Sequence, residues 1–151
     1  MASGERLPVD DEMAIRFMFS KYGHLLDSGD AKGWGDLFTE DGSWKRVNSP
    51  SRELGGSGLP AETIRGRDNL VQMAVDVVQG RFNGLCRHQM TDVHIASADD
   101  PDTATGMARA LITDWNGGPG KLAMVGNYDL VFSRTGEGWR IRSIACTLVP
   151  A

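Results

Sequence analysis

Three histidines, His24, His88 and His94, are the side chains of this sequence best able to take and return a proton near neutral pH. His88 and His94 fall within Leu85–Ala96, where apolar and β-branched residues alternate with polar ones, the pattern of a strand. Alternation puts His88 and Met90 on one face and Arg87 and Gln89 on the other. A His88 that faces a cavity has the chemistry of a general base; a His88 that faces packed side chains is a structural histidine. His94 shares the parity of His88, yet Val93 and Ile95 are the apolar pair there. Either a bulge near Thr91 and Asp92 flips the register or both sheet faces are covered, and in both cases His94 reads as surface or interface. Asp114 shares a strand parity with Gly106, Ala108, Ala110 and Ile112, small residues that leave room for a ligand; its alternative is an exposed acid at the strand end. Tyr22 lies on an apolar helical stripe, either as a core aromatic or with its hydroxyl offered to a ligand. Trp44, Phe82, Met90, Met107, Trp115 and Met124 are available as an apolar wall or as ordinary core.

The elements that position these residues follow from periodicity. Met1–Pro8 reads as a loose tail and the remainder, 9–151, as a single domain. Asp10, Asp11 and Glu12 place negative charge at a helix start. Ala14, Ile15, Met18, Tyr22, Leu25 and Leu26 then keep a helical period, so a first helix runs from about Asp10 to Leu26. On its wheel Asp27 falls beside Arg16, Ser20 and Gly23, away from the apolar stripe. A continuous helix would turn it to solvent; a break at Leu26 would swing it inward. His24, on the same polar side, reads as solvated. Ala31–Phe38 reads as a second helix, Thr39–Gly42 as a turn, Ser43–Val47 as a strand, and Asn48–Pro60 as a loop and candidate lid. A third helix starts at Gly66 and ends near Gly80 and Gly84. After Leu85–Ala96, three further strands cover Thr103–Trp115, Lys121–Arg134 and Trp139–Val149, separated by glycine-rich turns. Helices first and hairpin-linked strands last make an α+β fold with a mostly antiparallel sheet curved around three N-terminal helices.

Bulk properties narrow the function. A formal net charge of −4 speaks against nucleic acid as a partner. No apolar run approaches membrane-spanning length and Met1–Asp10 lacks a leader pattern, so no membrane partner and a cytoplasmic location are the expectation. Cys86 and Cys146 are too few for a disulfide framework or a zinc site and read as buried thiols; no metal and no cofactor is expected.

The ordered set Ala14-Ile15 with Tyr22, Leu26–Asp30, Leu37–Trp44, Gly66-Arg67-Asp68, Arg87-His88 with Thr91–Val93, Gly126–Tyr128 and Gly138–Ile141 resembles the SnoaL-like branch of the nuclear transport factor 2-like superfamily. That resemblance implies a cone-shaped fold. Members include scytalone dehydratase, bile-acid dehydratase, lindane dehydrochlorinase, ketosteroid isomerase and polyketide cyclases, alongside non-catalytic subunits, so the fold alone leaves the chemistry open. By the same resemblance the dehydratase strand histidine falls on His88 and its aspartate partner on Asp27. A hydroxyl falls on Tyr22, a second acid–base group on or near Asp114, and a substrate-contacting asparagine near Asn127; by residue type alone, Met90, Trp115 and Trp44 would line the substrate. The implied activity is a cofactor-independent lyase, with dehydration first, acting on a small, apolar, oxygenated ring compound. A cyclase or isomerase, and a non-catalytic binding subunit, are the alternatives. A homodimer or homotrimer is implied, with the outer sheet face as its surface.

Overall fold

The computed structural model describes residues 4–51, 53 and 58–150. The elements are α1 (Val9–Asp27), α2 (Ala31–Gly35), β1 (Phe38–Arg46), β2 (Glu62–Arg65), α3 (Arg67–Ala74), β3 (Cys86–Ser97), β4 (Thr103–Asp114), β5 (Lys121–Thr135) and β6 (Gly138–Leu148). One six-stranded sheet has the order β2-β1-β6-β5-β4-β3; β1 and β6 run parallel and every other pair is antiparallel. The sheet curves around the helices without closing, which is the α+β cone expected from the order of elements.

Alternation explains which side of each strand is buried. On β5, Tyr128, Leu130 and Phe132 point to the helices, while Asn127 and Asp129 point away. On β4 the inward residues are Ala104, Gly106, Ala108, Ala110 and Ile112. Their small size lets the aromatic residues of the helices lie close to the sheet: Phe19 meets Phe132 edge-on at 6.3 Å, and Trp34 meets Tyr22 at 5.6 Å and Phe38 at 4.9 Å. On β3 the alternation changes phase. Thr91 pairs with Arg109 and His94 with Met107, so two residues oppose one, and Asp92 takes the left-handed conformation at φ 51°. His88 and Met90 therefore face inward before the bulge and Val93 and Ile95 after it, leaving His94 exposed on the outer face.

Several local expectations change. The second helix stops at Gly35, because β1 begins at Phe38; Thr39–Gly42 is an irregularity inside that strand rather than a turn before it. β2, which pairs with β1 from Ser43 to Arg46, has no alternating apolar signal and is absent from the sequence reading. α3 continues into a π-helical segment, Val75–Arg81, widening the turn that carries Val77 and Val78. Residues 4–8 are not a loose tail: Leu7 is buried in the core and the Glu5 carbonyl accepts the Ser97 N–H at 2.9 Å. Of the candidate lid 48–60, residues 52 and 54–57 lie outside the described residues. At its ends, Asn48 exchanges two hydrogen bonds with Leu148, and Leu59 reaches the cavity wall.

Candidate active site

α1 does not break before Asp27; the helix includes it. The carboxylate is nevertheless turned to protein, because the helix face shared by Arg16, Gly23 and Asp27 lies against β3 rather than water. Gly23 makes this possible. It is buried, and a Cβ there would stand only 2.7 Å from the His88 carbonyl oxygen. The missing side chain lets the helix backbone approach the strand. One turn later the Asp27 carboxylate accepts the backbone N–H of His88 at 3.0 and 3.1 Å, and its Oδ1 lies 2.7 Å from His88 Nδ1. Asp27 thus satisfies an edge-strand amide and the imidazole together. The pair is largely shielded, the His88 side chain being 9% exposed and that of Asp27 17%.

A carboxylate at this distance selects the Nδ1–H tautomer, which leaves a lone pair on Nε2. Two spaces meet at the ring. A groove of about 490 Å³ between α1 and β3 contains Asp27 and His88 together with polar side chains such as Arg16, His24 and Gln89. A smaller cavity, about 60 Å³, lies inside the cone and contains His88 without Asp27. His88 lines both spaces, and its Nδ1 is held by Asp27, which lines the groove. Among the described residues Nε2 has no hydrogen-bond partner.

The inner cavity is apolar except at three places. His88 is the first. The second is a pair of phenols: Tyr22 and Tyr128 are buried, their rings cross at 6.1 Å, and the Trp44 ring meets Tyr128 edge-on at 6.4 Å. Burial pushes both phenols above the ordinary range, so they stay protonated and act as donors. The Trp34 indole N–H is buried without a hydrogen-bond partner among the described residues, and its ring meets Tyr22 edge-on. The third is Arg46, a guanidinium buried under residues 59–62. Met73, Met124, Val78 and Ile112 are among the other residues of the wall.

Other residues singled out in the sequence lie elsewhere. Asp114 ends β4 outside the cavity; its carboxylate accepts the backbone N–H and the side-chain amide of Asn116 at 2.9 and 2.6 Å, and these bonds hold it below the usual carboxylate range. It is a turn-capping residue. Asn127 is exposed on the outer face because the inward parity of β5 belongs to Tyr128. Trp115 is 50% exposed, stacked over the Gly120 turn with its N–H on Thr113. Met107 also faces outward, and Phe82 is core. Met90 lines the groove and Trp44 the inner cavity. His24 is exposed beside the groove. Sequence reasoning passed over Tyr128, Trp34 and Arg46. The run Tyr128, Leu130, Phe132 at alternate positions was the available signal for Tyr128; Arg46 has none, since β1 reads as a strand with one polar face.

Asp27, Cys86 and His88 bring three metal-ligating atoms within 4.8 Å of one another. The Cys86 thiol is pushed up to about 11, by burial first and by the Asp27 charge second, so it is protonated near neutral pH. Among the described residues no helix is long and apolar enough to cross a membrane.

No curated protein matches the sequence. Solved structures do match, at identities that bear on the fold alone. An NTF2-like protein with a cystatin-like fold from Novosphingobium aromaticivorans is 24% identical, with 95% of this chain and 84% of that one covered and a TM-score of 0.80. ActVI-ORFA from Streptomyces coelicolor is 20% identical over 93% and 98%, with a TM-score of 0.73. A candidate dehydratase of the NTF2-like family from Streptomyces avermitilis is 18% identical over 95% and 99%, with a TM-score of 0.72. The model of the SnoaL-like domain matches residues 8–145, nearly the whole cone with its dyad and cavity, and the chain therefore belongs to the SnoaL-like domain family.

Proposed function

We propose that this protein is a cofactor-independent lyase that removes a proton next to a carbonyl in a small, oxygenated ring compound and expels a hydroxyl as water. The observation that carries the reading is the 2.7 Å contact between His88 Nδ1 and Asp27, which leaves Nε2 basic at the wall of an apolar cavity. In this mechanism Nε2 takes the proton as the C–H bond breaks, and Asp27 steadies the imidazolium that forms. The electron pair moves onto the carbonyl oxygen, where Tyr22 and Tyr128 donate hydrogen bonds to the developing enolate. As the enolate collapses, the C–O bond at the neighbouring carbon breaks and His88 returns its proton to the leaving hydroxyl. Stopping before C–O cleavage, the same dyad would run an isomerisation. Asp114 and Asn127, outside the cavity, take no part.

The family model and the resemblance to a candidate dehydratase support this reading. Its test does not require the natural substrate. Cyclic ketones and cyclic β-hydroxyketones are incubated in deuterated buffer, with α-proton exchange followed by NMR and enone formation by absorbance. Exchange is expected with the intact protein. A loss of about 10²–10⁴-fold is expected with His88→Ala, and a smaller loss, about 10-fold, with Tyr22→Phe. Exchange by His88→Ala at the intact rate would exclude the mechanism; so would its absence from both proteins across the panel.

A further inference from the structure

Arg46 is the one buried charged residue among the described residues, 3% exposed on β1, and nothing in the proton-transfer scheme uses it. Its Nη1 is fully occupied: it donates to the Pro60 carbonyl at 2.6 Å and to Glu62 Oε1 at 2.9 Å, both on the β2 side. A guanidinium has five N–H donors, and Nη1 supplies two of them. Of the other three, Nε–H and one Nη2–H lie side by side on one edge of the planar group, and none of the three meets an acceptor among the described residues. That edge is not sealed in packing either. The described guanidiniums with a sealed, unpartnered Nε belong to Arg67 and Arg140, not to Arg46. The side chain is only 4% exposed overall, and Arg46 lines the inner cavity together with Tyr22, Tyr128 and His88. The Trp44 ring, its centroid 5.0 Å from the guanidinium carbon, lies alongside the group.

We infer that the free Nε/Nη2 edge of Arg46 is a docking site for a carboxylate on the substrate. An aligned pair of N–H donors matches the two oxygens of a carboxylate, and such bidentate pairs are the strong form of the charge-assisted hydrogen bond. Glu62 does not pre-empt the site. It holds Nη1 alone and is 40% exposed, so its charge is shared with water while the free edge stays in the apolar interior. The substrate class implied is a ring acid: one end carries the carboxylate to Arg46, and the carbonyl and its acidic C–H lie between the phenols and His88. Arg46 is then a specificity-determining residue. The inference rests on the inner cavity being the substrate site, as the proposed function has it, but not on His88 being the base.

The test uses binding, so that the two ideas fail separately. Benzoate, cinnamate and 2-naphthoate are titrated against their primary amides, which have the same shape without the charge, by calorimetry and by fluorescence of the wall residues Trp34 and Trp44. For at least one ring size the intact protein is expected to bind the carboxylate at least 10-fold more tightly than the amide. Arg46→Gln should abolish that preference, Arg46→Lys should restore only part of it because the fork is lost, and Asp114→Asn, outside the cavity, should retain it. Equal binding of acid and amide by the intact protein, or no binding of either, overturns the inference whether or not the Arg46 variants fold. A preference that survives in folded Arg46→Gln overturns it as well. A protein that discriminates acid from amide but exchanges no α-proton leaves this inference standing and removes the proposed lyase.

Discussion

Replacing Gly23 with alanine sets two effects of opposite sign against each other. In an ordinary helix interior the change stabilises by about 0.5–1 kcal/mol, because glycine loses more backbone freedom on folding. Here the new Cβ would stand 2.7 Å from the His88 carbonyl oxygen, about 0.7 Å inside the 3.4 Å at which ordinary contact begins. Both partners are backbone-fixed, one on α1 and one on β3, so relief requires the strand to move off the helix. A retreat of that size takes the Nδ1···Oδ1 contact from 2.7 Å to about 3.4 Å, and the amide bonds to Asp27 from about 3.0 Å to about 3.7 Å, beyond hydrogen-bonding range. Overpacking costs about 1–3 kcal/mol and loss of a charge-assisted bond about 1.5–3 kcal/mol. The helix gain does not offset this. A net destabilisation of about 1.5–5.5 kcal/mol is expected, lowering the thermal midpoint by roughly 3–20 °C in a chain of this length. The assay is thermal and denaturant unfolding followed by circular dichroism, together with α-proton exchange, which should fall at least 10-fold. Gly80→Ala is the control: its Cβ would meet nothing closer than 3.7 Å, and it should be neutral or stabilising. If Gly23→Ala melts at or above the unmodified protein and keeps its exchange activity, close approach of helix and strand is not what builds the dyad.

Asp114→Asn and Asn127→Ala lie outside the inner cavity and should each leave α-proton exchange within about 3-fold of the unmodified rate, a range ordinary for sites remote from the chemistry; a loss of 100-fold in either would return that residue to the site. Cys86 and Cys146 are buried, with thiols pushed up to about 11 and about 12. Neither should react with a disulfide reagent at pH 8 until denaturant is added, and rapid labelling of the native protein would contradict their burial. Asp11 is held below its ordinary range by hydrogen bonds from Arg134 first and Trp139 second. A carboxyl whose folded value is depressed contributes stability above its unfolded value near 3.8, and loses it as pH falls further. The unfolding midpoint of Asp11→Asn should therefore trail the unmodified protein at pH 6–7 and converge with it below pH 3.8; a gap independent of pH would mean that the charge is not the cause.

The sequence by itself determined what depends on near neighbours. Apolar period and turn residues set the order of helices and strands, and strand parity placed His88 and Met90 together and warned of a bulge where Asp92 takes its positive φ. Parity also had the means to place Tyr128 inward and Asn127 outward, since Leu130 and Phe132 carry the same phase. What only the tertiary structure decided depends on partners distant in the chain. The wheel set Asp27 beside Gly23 correctly, but whether that face met water or β3 is a question about a strand sixty residues away. Asp114 looked like a site acid until Asn116 folded back onto it, and β2 exists because β1 supplies an edge, not because Glu62–Arg65 alternates. Periodicity fixes which way a side chain leaves its own backbone; only packing fixes what it meets there.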